Sequence, residues 1–284
     1  MPSVTVLLDQ LKAKASRANL DGMAKFGMAV ENRLGVSVPE MRRIAKETGP
    51  NHALAAKLWK TGIPDAIILA SMLAVPEELS EADLEAWVSS FNSWDVCDQV
   101  CMNLFENTPL ARRKILKWSE REEEFVKRAA FALIACLAWH DKQAADQELI
   151  GYLPVIKRGA TDERNFVRKA VNWALRNIGK RNARLNKAAI KTAREIQRLD
   201  SKAARWIAAD TLRELESEKS PKRLQKRSGC GRYRLRLARS GEHLVEPVKG
   251  ALVEQGAIAA FAVLAGALRL SEGDEVLRAG ERIE

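Results

Sequence analysis

A chain of 284 residues with 46% hydrophobic and 30% charged side chains has the composition of a soluble globular protein, long enough for one large domain or two small ones. Its longest apolar run, Ala257 to Leu268, is too short for a bilayer span of about 20 residues, so no membrane partner is expected. The net charge of +10 is concentrated: residues 1–150 hold 18 basic and 21 acidic side chains, residues 151–228 hold 21 and 8, and residues 229–284 hold 8 of each. A focused positive field of this kind is the footprint of a polyanion, most often nucleic acid.

Up to about residue 218 the chain reads as helix, because apolar residues recur at spacings of three and four and no run alternates with period two. Ser37 with Glu40, and Ser119 with Glu122, have capping-box spacing. Thr161 followed by Asp162 and Glu163 places acids where a first helical turn prefers them. Pro50, Pro64, Pro76, Pro109 and Pro154 punctuate between helices. An internal repeat is visible. Phe125-Val-Lys-Arg-Ala-Ala-Phe-Ala-Leu matches Phe166-Val-Arg-Lys-Ala-Val-Asn-Trp-Ala-Leu at a shift of 41 residues, and Trp206-Ile-Ala-Ala-Asp-Thr-Leu follows Phe166 by 40. A period near 40 made of helix pairs is the HEAT or armadillo signature, and such repeats stack into a solenoid with a concave binding surface. Two similar amphipathic helices meeting by chance is the alternative. Ser217 to Ser228 reads as a charged exit from the repeats. Residues 229–284 are rich in Gly, Ala and Arg, carry no repeat, and form an appendage of unknown role, with a helix expected over 251–270.

Around Phe91 to Phe105, Trp94, Cys97, Cys101, Leu104 and Phe105 fall on one helical face at 100° per residue. Asp98 sits within that face, and an acid in an apolar stripe marks either a functional site or a buried pairing with Arg or a helix cap. Burial would raise its pKa and a nearby cation would lower it. Asp95, at the stripe's edge, reads as a solvated or capping acid. Over Asn165 to Ile178, Val167, Val171, Ala174 and Ile178 form the core stripe, while Trp173 points away among Lys169, Arg176, Asn177 and Lys180. That setting suits stacking beside phosphate-binding cations, or packing on the next repeat. Arg128 and Lys127 occupy the places in one repeat that Lys169 and Arg168 occupy in the next, as a phosphate-tracking groove would need, although any single cation is as readily a solvated charge. Cys97, Cys101, Cys136 and Cys230 form no disulfide framework or metal set and read as buried free thiols. His52, His140 and His243 are isolated, and no phosphate loop or catalytic triad is legible.

Four segments in order resemble the AlkD-like DNA alkylation repair glycosylases: Met23-Ala-Lys-Phe-Gly-Met with Gly35-Val-Ser-Val-Pro-Glu-Met-Arg, Ser93-Trp-Asp-Val-Cys-Asp98, the Phe125 run and the Asn165 run. The resemblance covers roughly residues 20–215 and implies an all-α, right-handed solenoid of HEAT-like repeats with a concave basic face, set over residues 1–228. It implies excision of N3- and N7-alkylated purines by a catalytic set of four: Trp94 and Asp98 as the Trp-then-Asp pair, Trp173 as a second aromatic and Arg128 as a repeat-borne cation. Such lesions are cationic and their glycosidic bond is already weak, so a carboxylate that stabilises an oxocarbenium-like sugar and places a water suffices. Phe26 stands where family members can have Tyr. Lys25, Phe26, Lys127, Arg168, Lys169, Arg176, Lys180 and Arg181 are the expected contacts to double-stranded DNA with alkylated bases. No metal, redox or nucleotide cofactor is expected, and the chain is expected to act as a monomer in the cytoplasm, at the nucleoid. Two rivals stand beside a monofunctional glycosylase: a non-catalytic relative binding damaged or branched DNA, and a HEAT-type protein scaffold.

Overall fold

The computed structural model describes residues 2–217. The appendage, its expected helix, Cys230 and His243 lie outside the described residues. Within them the chain is helical, without strands: α1 (Val4–Ala13), α2 (Arg17–Lys25), α3 (Val38–Thr48), α4 (His52–Trp59), α5 (Pro64–Leu73), α6 (Glu81–Ser89), α7 (Trp94–Asn103), α8 (Ala111–Ser119), α9 (Glu124–His140), α10 (Asp146–Gly151), α11 (Leu153–Gly159), α12 (Asn165–Gly179), α13 (Ala183–Gln197) and α14 (Lys202–Leu215).

Local chemistry sets most of the starts. Ser3, Ser16, Ser37, Asn51, Ser80, Asn182 and Ser201 each turn a side-chain oxygen onto a free N–H of the first turn. Ser37 accepts from Glu40 N–H as its spacing predicts. The Ser119–Glu122 spacing misleads. Ser119 ends α8 and donates back to the Leu116 carbonyl at 2.8 Å, so the two residues lie on either side of a turn. Here a Ser–x–x–Glu spacing spans a reversal of the chain rather than opening a helix. The helix expected from Thr161 starts at Asn165, with Asp162 accepting from Arg164 N–H just ahead of it.

The helices form two layers. α3, α5, α7, α9, α12 and α14 pack one upon the next, while α4, α8, α11 and α13 lie against them on the outer side. Side-chain stitches give the register of the inner row. Cys97 to Phe125 and Cys101 to Ala129 step together between α7 and α9, as do Asn172 to Asp210 and Arg176 to Glu214 between α12 and α14. Equal steps in the same direction mean that these neighbours run parallel, so the N-termini of α7, α9, α12 and α14 share one edge. Phe125 and Phe166, paired in the sequence repeat, are both the second residue of their helices. α9 is buried almost throughout from Val126 to Ala138, since α7, α8 and α12 pack around it.

The core is tight where α11 meets α9. A Cβ on Gly159 would lie 2.3 Å from the Phe131 ring, which is itself fully buried. Gly159→Ala is therefore expected to lose about 1–3 kcal/mol in urea unfolding through overpacking; a loss near zero would mean that the α9–α11 seam can spread. Cys97, Cys101 and Cys136 are buried free thiols, and burial pushes the thiols of Cys101 and Cys136 well above the usual range. Among the described residues no helix is long and apolar enough to cross a membrane.

Candidate active site at the helix N-termini

The site begins with a strap. Residues 26–36, between α2 and α3, cross the shared edge at α5 and α7. Asp65, on the second residue of α5, accepts from the N–H groups of Leu34 and Val36 at 2.8 Å each. Ser93, the residue before α7, accepts from Ala29 N–H at 3.1 Å and donates to Asp95 at 2.5 Å. Its hydroxyl is thus diverted from capping its own helix. Arg33 reaches back from the strap onto Asp95 and donates to the Ala29 carbonyl at 3.2 Å. Asp95, expected from sequence to be solvated or to cap, is buried in this ion pair. The helical wheel misplaced it because α7, sandwiched between α5 and α9, is buried on every side from Trp94 to Cys101.

Trp94 opens α7, and its indole N–H donates to the Phe26 carbonyl at 3.1 Å. One turn later Asp98 meets Arg128 of α9 in a two-point pair: Nε to Oδ1 at 3.0 Å and Nη2 to Oδ2 at 2.7 Å. The third guanidinium nitrogen, Nη1, donates to the Phe166 carbonyl of α12 at 2.5 Å, and the guanidinium carbon lies 5.7 Å from the Trp94 ring centre. Arg128 therefore ties α7, α9 and α12 together at their N-terminal ends. The pair is almost closed to solvent, with Asp98 5% and Arg128 3% exposed. Burial pushes the Asp98 carboxyl up from the usual carboxylate range, and the Arg128 guanidinium opposes that push. Burial disfavours the charged form of Arg128, yet the Asp98 carboxylate beside it holds the guanidinium above its usual range.

Comparison with known proteins bears on the family and the fold. A family model described as DNA alkylation repair enzyme matches residues 7–222. The chain belongs to the DNA alkylation repair enzyme family. A solved structure described as a new family of proteins related to the HEAT-like repeat DNA glycosylases with affinity for branched DNA structures is similar in fold, with TM-score 0.62 and 21% identity, over 75% of this chain and 95% of that one. A designed armadillo repeat protein in complex with the peptide (KR)4 matches more loosely, with TM-score 0.34 and 16% identity over 68% of this chain and 81% of its own. No curated protein matches significantly.

Around this repair-family core, the remaining expected residues are placed unevenly. Trp173 is half-buried against the core two turns beyond Phe166, about 10 Å along α12. Among the described residues no hydrogen bond or ring contact joins it to Asp98, Trp94 or Arg128. Lys25 is exposed at the end of α2, and Phe26 is half-buried beside it. Lys169 is half-buried. The expected groove cations are largely engaged within the protein. Lys127 lies 3.5 Å from Asp162; Arg176 pairs with Asp210 at 3.0 Å and with Glu214; Lys180 lies 3.2 Å from Glu214. Arg181 donates to the carbonyls of Ala138 and Ala144, and Arg168 stacks 5.0 Å over Trp206 while bonding Asn165. Arg128 is no groove cation at all, since it points into the protein onto Asp98. A helical wheel shows which residues share a face with Trp173 but not which acids the next helix, α14, offers to that face.

Two aromatics were quoted from the repeat without a role. Phe125 and Phe166 are half-buried with ring centres 5.7 Å apart, and the Phe166 ring lies against Gly27 of the strap. With Phe26 and Trp94 they make the shared edge aromatic. The signal was in the repeat itself: an apolar residue at the exposed start of two successive helices. A cavity of about 170 Å³ near the site runs between Trp59, Gly62, Asn92 and Val96 and is not lined by Asp98. Among the described residues no cluster of three or more metal-binding side chains occurs.

Proposed function

We propose that this repair-family chain is a monofunctional DNA glycosylase that excises N3- and N7-alkylated purines from double-stranded DNA. The observation that carries the reading is Asp98, a buried carboxyl in a two-point bond to Arg128 beneath the Trp94 indole. An alkylated purine leaves as a neutral base, so the developing positive charge sits on the sugar, and a fixed carboxylate in a poorly solvated setting stabilises it best. Each carboxylate oxygen has lone pairs beyond the one given to Arg128, so Asp98 can accept from an attacking water while its charge stays fixed. Phe26, Phe125 and Phe166, half-buried at the same edge, offer π faces to a cationic base. Trp173, Lys25 and Lys169 are proposed as further contacts along α2 and α12.

A second reading rests on the depth of the same pair. With Asp98 5% exposed and both oxygens engaged, the pair can serve the fold alone, in a non-catalytic chain that binds damaged or branched DNA. Base release decides between them. Purified protein incubated with duplex DNA containing N7-methylguanine is expected to release free base at a rate above the spontaneous one. Binding without release would favour the second reading.

The pH profile adds a check. The ionised form of Asp98 is the active one, and its pKa is raised by burial. As pH falls through that raised value the carboxyl takes up a proton and the rate drops. The acid limb of single-turnover base release is therefore expected above the pH at which an ordinary Asp titrates, about 3.9. A rate that stays flat down to that pH would remove Asp98 from the chemistry.

A further inference from the structure

The positive block of the sequence has to surface somewhere, and the expected groove is not where most of it does. α13 is. Its buried face is Leu185, Ala189, Thr192, Ala193 and Ile196. Arg184, Lys187, Lys191, Arg194 and Arg198 fall within about 80° of one another on the opposite face, at 100° per residue, and all five are exposed. They step at three and four residues, about 5 Å apart, over about 21 Å of helix. The acids nearby are few. Glu195 at the border of the stripe is drawn to Lys157 at 2.8 Å, and Glu216 meets Arg194 at 2.8 Å. No large apolar side chain is exposed along the stripe, as a peptide-binding groove would require for its anchors.

α13 runs against the inner row. Asn186 near its start bonds the Gly179 carbonyl at the end of α12, and Ser201 just beyond its end bonds Glu163 just before α12. Arg198 therefore lies at the edge shared with Trp94 and Asp98, and the stripe leads from that edge across the outer layer. A row of exposed cations at this spacing, free of apolar anchors, fits a phosphodiester backbone.

We propose that the α13 stripe is a second DNA-backbone contact surface, separate from the Asp98 edge and supplying much of the protein's electrostatic affinity for the duplex. The proposal rests on the reading of the chain as a DNA-binding repair protein. The test compares three proteins by fluorescence anisotropy with one labelled duplex over a salt series. These are the wild type, a Lys187→Ala/Lys191→Ala/Arg198→Ala variant, and a control Lys46→Ala/Lys57→Ala/Lys60→Ala variant with the same charge loss on α3, on α4 and just after α4. The stripe variant is expected to bind at least tenfold more weakly at low salt, and its slope of log affinity against log salt should be shallower by about 2–3, with the control near wild type. Equal losses in stripe and control variants, or no loss in either, would overturn the proposal. So would retention on phosphatidylglycerol vesicles that the stripe variant alone loses while its duplex affinity is untouched, which would assign the stripe to a lipid surface. A wild type without salt-dependent duplex binding would overturn the DNA reading itself, a result distinguishable from failure of the stripe alone.

Discussion

Asp98→Asn is expected to slow release of N7-methylguanine about 10²–10³-fold while leaving duplex binding in place. The amide keeps the shape of the carboxylate and can still accept one bond from Arg128, but it offers no charge to the sugar as the bond breaks. The same substitution strands the Arg128 guanidinium, which is 3% exposed and, among the described residues, has Asp98 as its carboxylate partner. Removing one member of a buried pair costs about 3–5 kcal/mol, so the variant should also unfold at lower urea. A second variant separates the two effects. Asp98→Asn/Arg128→Gln removes both charges and should recover part of the lost stability without recovering base release. If the double variant regained the rate, the pair would be acting through the fold and not through the chemistry. If Asp98→Asn released base as fast as wild type, the catalytic carboxylate would lie elsewhere.

The sequence carried the helices, the repeat near 40 residues and the Trp94–Asp98 pair, because each is a local pattern on one helix. It carried less about which side chains meet. Arg128 was read as a groove cation from its match to Lys169, yet it turns inward because Asp98 of α7 lies opposite it and the Phe166 carbonyl of α12 completes its bonds. Arg176 and Lys180 were read the same way, and Asp210 and Glu214 of α14 meet them. In each case the deciding partner lies 30 or more residues away, on a neighbouring helix that periodicity says nothing about. The α13 stripe was hidden for the opposite reason. Its cations were counted in the +13 excess of residues 151–228, but with no motif to mark them they were not assigned to a face.

The strap poses the same problem of distant partners, and its failure is expected to reach the site. Arg33 is 7% exposed and stands between two buried carboxylates, bonded to Asp95 and with Nε 4.0 Å from Asp65. Asp65 in turn holds the strap by two backbone N–H groups, and Asp95 holds Ser93. One guanidinium thus offsets two acids, and its Nε has no hydrogen-bond partner. Arg33→Met leaves both carboxylates buried without a cation, and a loss of about 3–5 kcal/mol is expected in urea unfolding. The consequence should reach the site, because the Phe26 carbonyl that orients the Trp94 indole belongs to the same strap. A shift in Trp94 emission and faster proteolysis within residues 26–36 should accompany the loss. An Arg33→Met/Asp95→Asn variant, which removes the charge stranded nearest, should regain more stability than the two single losses would predict if they simply added. Strict additivity would mean that Arg33 and Asp95 act independently. A cost for Arg33→Met below about 1 kcal/mol would mean that Asp65 holds the strap without it, as its two backbone bonds alone allow.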